Sequence, residues 1–319
     1  MIVTFTANPS LDRTASLSVP LTRGGVHRLA GLTTEPGGKG VNVARAIHQA
    51  GKAALAVLPA GPHDPILAAL TERGVPHRHV QVPSLVRTNL TLTEADGTTT
   101  KLNEPGAVLS AADADALREV LVEAAWGAAW VVLSGSLPPG APGDWYAQLV
   151  RAVRPLGVRI AVDTSDEPLA RLAEQLSDAA PDLLKPNSEE LAQLTGADGE
   201  ELEAAAAAGD PAPSVAAARR LVEAGVSTVM ATLGGAGAVL VDADGAWVAT
   251  PPPIQLRSTV GAGDSSVAGY VMADIDGADA PGRLARAVAY GSGAASLPGS
   301  TLPTPDQTHP EQVRVERVG

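Results

Sequence analysis

The chain has 319 residues, 45% of them hydrophobic and 18% charged, with a formal net charge of −12 and no cysteine. That length suits one large α/β domain or a core with a small subdomain, and a chain of this size buries roughly 75% of its unfolded surface without covalent staples. The missing cysteine excludes disulfides, thiolate metal sites and cysteine nucleophiles, while the acidic balance and 3% aromatic content argue against a nucleic-acid-binding face.

The opening IVTFTANP reads as a buried strand ending at the turn Asn8-Pro9-Ser10. Residues 11–35 alternate loosely between glycines, as a short β element does. Gly37-Gly38-Lys39-Gly40 then opens VNVARAIHQAG, whose apolar spacing predicts a helix ending at Gly51. From there strand and helix patterns alternate: ALAVLPAG, PILAALTERG, VVLSGSLPPG, WYAQLVRAVRPLG, RIAVDTS, LARLAEQL, DLLKPN, EELAQLTG, VAAARRLVEAG and STVMATLG. Such alternation predicts a mostly parallel sheet covered by helices on both faces. Residues 77–105 break the rhythm, with HRHVQV, TNLTLTEA and TTTKLNE reading as antiparallel strands around Asp96-Gly97. The stretches 11–35 and 77–105 are expected to join as one small β-sheet lid over a core made of 1–10, 36–76 and 106–319, all within a single domain spanning 1–319. The tract 203–214 is low in complexity and reads as a surface helix end and loop. No apolar run reaches the ~20 residues of a membrane span, and MIVTFTANPS lacks the order of a secretory leader, so a cytoplasmic protein without membrane contact is expected.

Two glycine-rich helix starts carry the chemistry. In Ser258-Thr259-Val260-Gly261-Ala262-Gly263-Asp264, small residues let backbone N–H groups converge at the start of the helical run SVAGYVMADI. A helix N-terminus of this kind carries roughly half a positive charge and stabilises an anion. Asp264 in its first turn is positioned to take a proton from a hydroxyl; a plain N-cap aspartate accounts for the same residues equally well. The second start, Gly37 to Gly40, brings Lys39 and Asn42, a charge and an amide, close to any ligand above it. Neither is a P-loop or a dinucleotide fingerprint, since G-x-x-x-x-G-K-[ST] is absent and the first βα turn is NPSLD. His77 and His79 share a strand face but have no third ligand spaced near them, so no metal set is expected there.

GGKGVNVARA and STVGAGDS, in this order, resemble the two signatures of the ribokinase-like (PfkB-type) carbohydrate kinases. NPSLD, LSGSLPPG, LLKPNSEEL and TLGGAGAVL are similar to further segments of that family, so the resemblance runs nearly end to end. It implies an αβα sandwich with a β lid, ATP as phosphoryl donor and Mg²⁺. It makes Asp264 the catalytic base and Gly261, Ala262 and Gly263 the anion hole. Asn187 and Glu190, one helical turn apart, would organise Mg²⁺ and its waters, although a solvated helix glutamate is the simpler reading of Glu190 by itself. Lys185, Thr232, Gly234 and Gly237 would meet the nucleotide phosphates. Asp12, Gly37, Gly38, Lys39, Asn42, Arg87 and Asn103 would form the acceptor side.

NPSLD, KPN and Arg87-Thr88-Asn89 resemble the branch that phosphorylates ketohexose phosphates, with Arg87 and Lys39 as two cationic partners of the substrate phosphate. The lysine in GGKG favours fructose 1-phosphate or tagatose 6-phosphate over fructose 6-phosphate, and the overall pattern favours the first. A silent sugar-phosphate sensor on the same fold would have lost Asp264, Asn187 or Glu190, and all three are present. The resemblance also implies a homodimer formed through the lid. Of the four lysines, Lys39, Lys101 and Lys185 fall in these motifs or on the lid, and Lys52 has no role in this reading.

Overall fold

The computed structural model describes residues 1–318. In chain order, β1 (Ile2–Phe5), β2 (Ser10–Leu17) and β3 (Leu29–Gly37) lead to α1 (Lys39–Gln49), β4 (Ala54–Ala60), α2 (Pro65–Glu72) and β5 (His77–Gln81). Then come β6 (Arg87–Thr93), β7 (Thr99–Asn103), α3 (Ala111–Ala125), β8 (Trp130–Ser134), α4 (Trp145–Val153), β9 (Arg159–Asp163), α5 (Asp166–Ala173) and α6 (Leu176–Ala179). The chain continues through β10 (Leu183–Leu184), α7 (Ser188–Thr195), α8 (Gly199–Ala207), α9 (Ala212–Glu223), β11 (Thr228–Thr232), β12 (Ala238–Asp242) and β13 (Ala246–Thr250). It closes with α10 (Ala262–Ile275), α11 (Ala280–Ala295) and β14 (Arg314–Arg317).

A ten-stranded sheet runs in the order β14-β13-β12-β11-β10-β9-β8-β1-β4-β5. It is parallel from β5 to β11 and antiparallel at the β12–β14 end. Its central strands are apolar on both faces because helices cover both. Along β1 the side chains alternate, as a two-residue period demands. Val3 and Phe5 pack with Leu117 and Leu121 of α3, Trp145 of α4 and Leu191 of α7. Ile2 faces the opposite layer, with Val41 and Ile47 of α1, Tyr270 of α10 and Leu284 of α11. Helix α10 is buried from Asp264 to Ala273, because its small residues let α11 approach closely; a Cβ on Gly269 would lie 2.6 Å from the Arg286 carbonyl.

The smaller sheet has the order β3-β2-β6-β7. It differs from the sequence-based expectation in one respect. His77–Gln81 does not belong to it: α2 returns the chain to the large sheet, and β5 pairs parallel with β4 at its edge. The alternating HRHVQV pattern is that of an edge strand with one face half exposed. The second contribution to the small sheet therefore begins at Arg87. Within the small sheet β2 and β6, drawn from separate excursions of the chain, pair in parallel, while β3 and β7 close local antiparallel hairpins.

Lys52 binds Asp276 at 2.5 Å, and Asp276 also accepts Arg286 at 2.5 Å, tying the end of α1 to α10 and α11. No helix among the described residues is long and apolar enough to cross a membrane.

Candidate active site

In parallel α/β sheets, ligand-binding groups gather beyond the carboxyl ends of the strands. Here Asn8 follows β1, Gly135 and Ser136 follow β8, Asp163 ends β9, Lys185 follows β10 and Thr232 ends β11. The N-terminus of α1 arrives at the same edge, close enough that a Cβ on Gly40 would lie 2.5 Å from the Phe5 carbonyl. Gly38, the N-cap of α1, holds φ 98°, a left-handed conformation that L side chains resist.

Four side chains form the charged centre. Asp163 is 1% exposed, and its Oδ1 accepts the Lys39 ammonium at 3.0 Å and the Lys185 ammonium at 3.3 Å. Burial works against its charge, but Lys185 and Lys39 outweigh burial and hold the carboxyl below the usual range. Burial likewise favours a neutral Lys39, yet Asp163, Asp264 and Glu190 overcome it and keep the ammonium above the ordinary lysine range. Asp264 is buried, and its Oδ2 accepts the Asn42 amide at 2.9 Å. Burial pushes its carboxyl up to about 6; nearby Asp163 adds to this, while Lys39, the Asn42 hydrogen bond and Lys185 oppose it. A carboxylate poised there suits a proton acceptor working near neutral pH.

Gly261, with φ 78°, caps α10, and Ser265 N–H donates to the Gly261 carbonyl. The N–H groups of Gly263 and Asp264, in the first turn, have no intrahelical acceptor. The Lys185 ammonium stands over the same turn, 3.4 Å from the point a Cβ on Gly263 would occupy. Gly261, Ala262, Gly263 and Lys185 thus converge on one anion-sized region beside Asp264.

On the β10–β11 side, Asn187 caps α7 reciprocally: its Oδ1 accepts Glu190 N–H at 2.8 Å, and Glu190 Oε2 accepts Asn187 N–H at 2.8 Å. Burial raises the Glu190 carboxyl, with Lys185 and Lys39 opposing. Asn187 bridges to Thr232, and Gly234 and Gly237 shape the turn from β11 to β12. These residues lie around the ends of β10 and β11.

On the small-sheet side, Asp12 Oδ1 accepts Ser10 Oγ at 2.7 Å and Asn89 Nδ2 at 3.0 Å. Gly37 faces the same carboxylate so closely that a Cβ would lie 2.2 Å from Asp12 Oδ2. Asn103 pairs with Asn89 in register on β7 and is exposed. Arg87 donates to the carbonyls of Asn8 at 3.2 Å and Glu104 at 3.3 Å, and reaches Ser136 Oγ at 3.5 Å. Arg87 and Lys39 approach the same turn after β8: Arg87 reaches Ser136, and Lys39 Cβ lies 3.8 Å from the point a Cβ on Gly135 would occupy. Lys39 spends its ammonium on Asp163, because the buried carboxylate is the stronger local partner.

Asp163, the partner of both lysines, went unselected in the sequence, where it is the last residue of an apolar strand; a charge at that strand end was the available signal. Arg45 and Glu35 were also passed over, and they hold Asn42 from behind: Arg45 donates to Asn42 Oδ1 at 3.3 Å and to Glu35 Oε2 at 2.5 Å. Among the described residues no group of three or more His, Asp and Glu is arranged to hold a metal ion.

Residues 6–307 match the family described as pfkB family carbohydrate kinase. The chain belongs to the pfkB family. It is 38% identical to a 1-phosphofructokinase of Xanthomonas campestris over 86% of this chain and 85% of that protein. It is 35% identical to the ATP-dependent 6-phosphofructokinase isozyme 2 of Escherichia coli, over 96% of each chain. The structure of E. coli phosphofructokinase-2 in complex with substrates and products superposes with a TM-score of 0.86 at 34% identity, covering 96% of each chain. The large mostly parallel sheet with a smaller sheet beside it is thus the family's fold, and the chain is a sugar-kinase phosphotransferase that uses ATP.

Proposed function

We propose that the chain transfers the terminal phosphoryl group of ATP to the free primary hydroxyl of fructose 1-phosphate. At the coarser level, the chain phosphorylates a fructose phosphate with ATP. The observation that carries the mechanistic reading is Asp264, buried at the mouth of α10 with Oδ2 held by Asn42 and a pKa of about 6. Its other oxygen takes the proton of the acceptor hydroxyl as the new P–O bond forms. The N–H groups at Gly261–Gly263, with Lys185 beside them, stabilise charge on the phosphoryl oxygens in transfer. Asp163 keeps Lys39 charged and holds Lys185 in position.

The family reading includes Mg²⁺. Glu190 gives one carboxylate oxygen to Asn187 N–H, leaving the other oxygen without a hydrogen bond among the described residues, a hard donor that fits a hydrated Mg²⁺. Glu190, with Asn187, would hold the ion through its waters, and the ion would neutralise phosphate charge. Thr232, Gly234 and Gly237 line the same side for the nucleotide.

Fructose 1-phosphate is favoured by Lys39 within GGKG and by the 1-phosphofructokinase relatives of X. campestris and Rhodobacter capsulatus, at 38% and 35% identity. Asp12, Asn89, Asn103 and Arg87 form the sugar side, and the small sheet serves as the lid. Leu29, Leu32 and Leu102 expose about half their surfaces on that sheet (49%, 45% and 55%), which supports a homodimer built through the lid. Such a kinase works in the cytoplasm, where ATP and sugar phosphates are made.

A coupled ADP-release assay with fructose 1-phosphate, fructose 6-phosphate and tagatose 6-phosphate side by side tests the assignment. Fructose 1-phosphate is expected to have the highest kcat/KM by at least about tenfold; a higher value with either competitor overturns it.

A further inference from the structure

Behind Asn42 lies a run of hydrogen bonds that the reaction described above does not use. Asn42 and Arg45 are one turn apart on α1 and share a face, and both are 4% exposed. Arg45 Nη1 donates to Asn42 Oδ1 at 3.3 Å and to the Pro36 carbonyl at 2.9 Å, directly ahead of the Gly37-Gly38 turn. Its Nη2 donates to Glu35 Oε2 at 2.5 Å, and Glu35 Oε1 accepts Arg73 at 2.6 Å. Glu35 sits on β3, opposite Asp12 in the register of the small sheet.

An amide has one acceptor end and one donor end. With Oδ1 turned to a guanidinium, Asn42 has only its NH₂ to offer Asp264. Were the amide reversed, its oxygen would face the Asp264 carboxylate and its NH₂ would face Arg45, putting like partners together at both ends. Arg45 and Asp264 therefore select the same orientation of the Asn42 amide, and Arg45 holds it from behind.

We propose that Arg45 is a positioning residue for the phosphoryl-transfer reaction: its guanidinium, which can only donate, holds Asn42 Oδ1 and so locks the amide NH₂ onto Asp264 Oδ2, leaving Oδ1 of Asp264 free to take the acceptor proton, and through Glu35 it ties that lock to the small sheet. This rests on Asp264 being the base. The charged groups facing Asp264 are Asp163, Lys39 and Lys185, and those facing Arg45 are Glu35, Arg73 and Asp12. None of them contacts Asn42 Oδ1, so none replaces Arg45 when it is removed. Arg73 remains on Glu35, and a cavity of about 250 Å³ lined by Glu35, Arg45, His48 and Arg73 gives a substituted side chain room.

The test compares wild type, Arg45→Met, Arg45→Lys, Asn42→Ala and the Arg45→Met/Asn42→Ala double variant in the full-length enzyme. The readouts are kcat from pH 5.5 to 9, KM for both substrates and the thermal midpoint. Arg45→Met should move the acid limb up by about one pH unit, the size of one lost charge-assisted hydrogen bond, and so lower kcat about threefold at pH 6.5. KM for ATP should stay within about twofold, and the double variant should be no worse than Asn42→Ala alone. Arg45→Lys keeps a charge opposite Glu35 but cannot span Glu35, Pro36 and Asn42 together, so it should shift the acid limb in the same direction even if Arg45→Met fails to fold. Folded Arg45 variants with a wild-type acid limb, or losses that multiply in the double variant, overturn the proposal. Asp264→Asn run alongside separates the two claims: an inert Asp264→Asn with unshifted Arg45 variants refutes the role of Arg45 alone, whereas an active Asp264→Asn refutes the base.

Discussion

Asp163 and Asp264 are both buried carboxylates of one site, yet their surroundings drive them apart. Lys185 and Lys39 keep Asp163 ionised, while burial and the charge of Asp163 itself lift Asp264 to about 6. In the proposed mechanism such a pair divides the labour: one is a fixed counter-charge, the other a proton acceptor.

Asp264→Asn should cut turnover by about 10²–10⁴ while leaving KM for both substrates near wild type, the range expected for a lost general base. Its effect on stability has the opposite sign. The folded chain holds a proton on Asp264 between the ordinary aspartate value of 3.8 and about 6, so stability falls as pH rises through that window. Removing the charge should therefore stabilise the fold at pH 7.5, by about 3 kcal/mol, and the difference should vanish by pH 4. Melts at the two pH values check this, and a lower midpoint for the variant at pH 7.5 would contradict the burial account.

Asp163→Asn would leave two ammonium groups without their carboxylate. Breaking a buried pair from one side costs about 3–5 kcal/mol. The lower end is expected here, because the Lys39 side chain is 35% exposed and keeps part of its hydration. Urea unfolding measures the loss, and the KM for ATP should rise with it as Lys185 leaves the α10 N-terminus. A variant as stable as wild type would remove Asp163 from the centre of the site.

Gly37→Ala should act on the sugar side alone. The added Cβ would sit 2.2 Å from Asp12 Oδ2, forcing that carboxylate off Ser10 and Asn89. KM for the sugar phosphate should rise at least about tenfold with KM for ATP within about twofold, and Arg87→Ala should follow the same division. Equal changes in both constants in steady-state titrations would take Asp12 and Arg87 out of the acceptor site.

Much of the site was legible in one dimension because its parts are local. Gly37-Gly38-Lys39-Gly40 and Gly261-Ala262-Gly263-Asp264 announce helix starts, since only small residues permit φ 98° at Gly38 or 78° at Gly261 and a close backbone approach. Asn187 and Glu190 are a three-residue signature whose reciprocal capping needs nothing beyond the helix that holds it. Asp163 was not legible in the same way. An aspartate at a strand end is common, and its meaning comes from two lysines 124 and 22 residues away along the chain.

Hydrophobic periodicity, glycine turns and capping residues determined on their own that this is a layered α/β chain with two anion-receptive helix starts, because each depends on neighbours a few residues apart. The tertiary structure decided what those pieces become together. It sent His77–Gln81 to the edge of the large sheet, paired β2 with β6 in parallel, and brought Asn42 to Asp264 across 222 residues. Such meetings depend on strand order and crossover path, which local propensity does not encode, and they set Asp264 against an amide that Arg45 holds from behind.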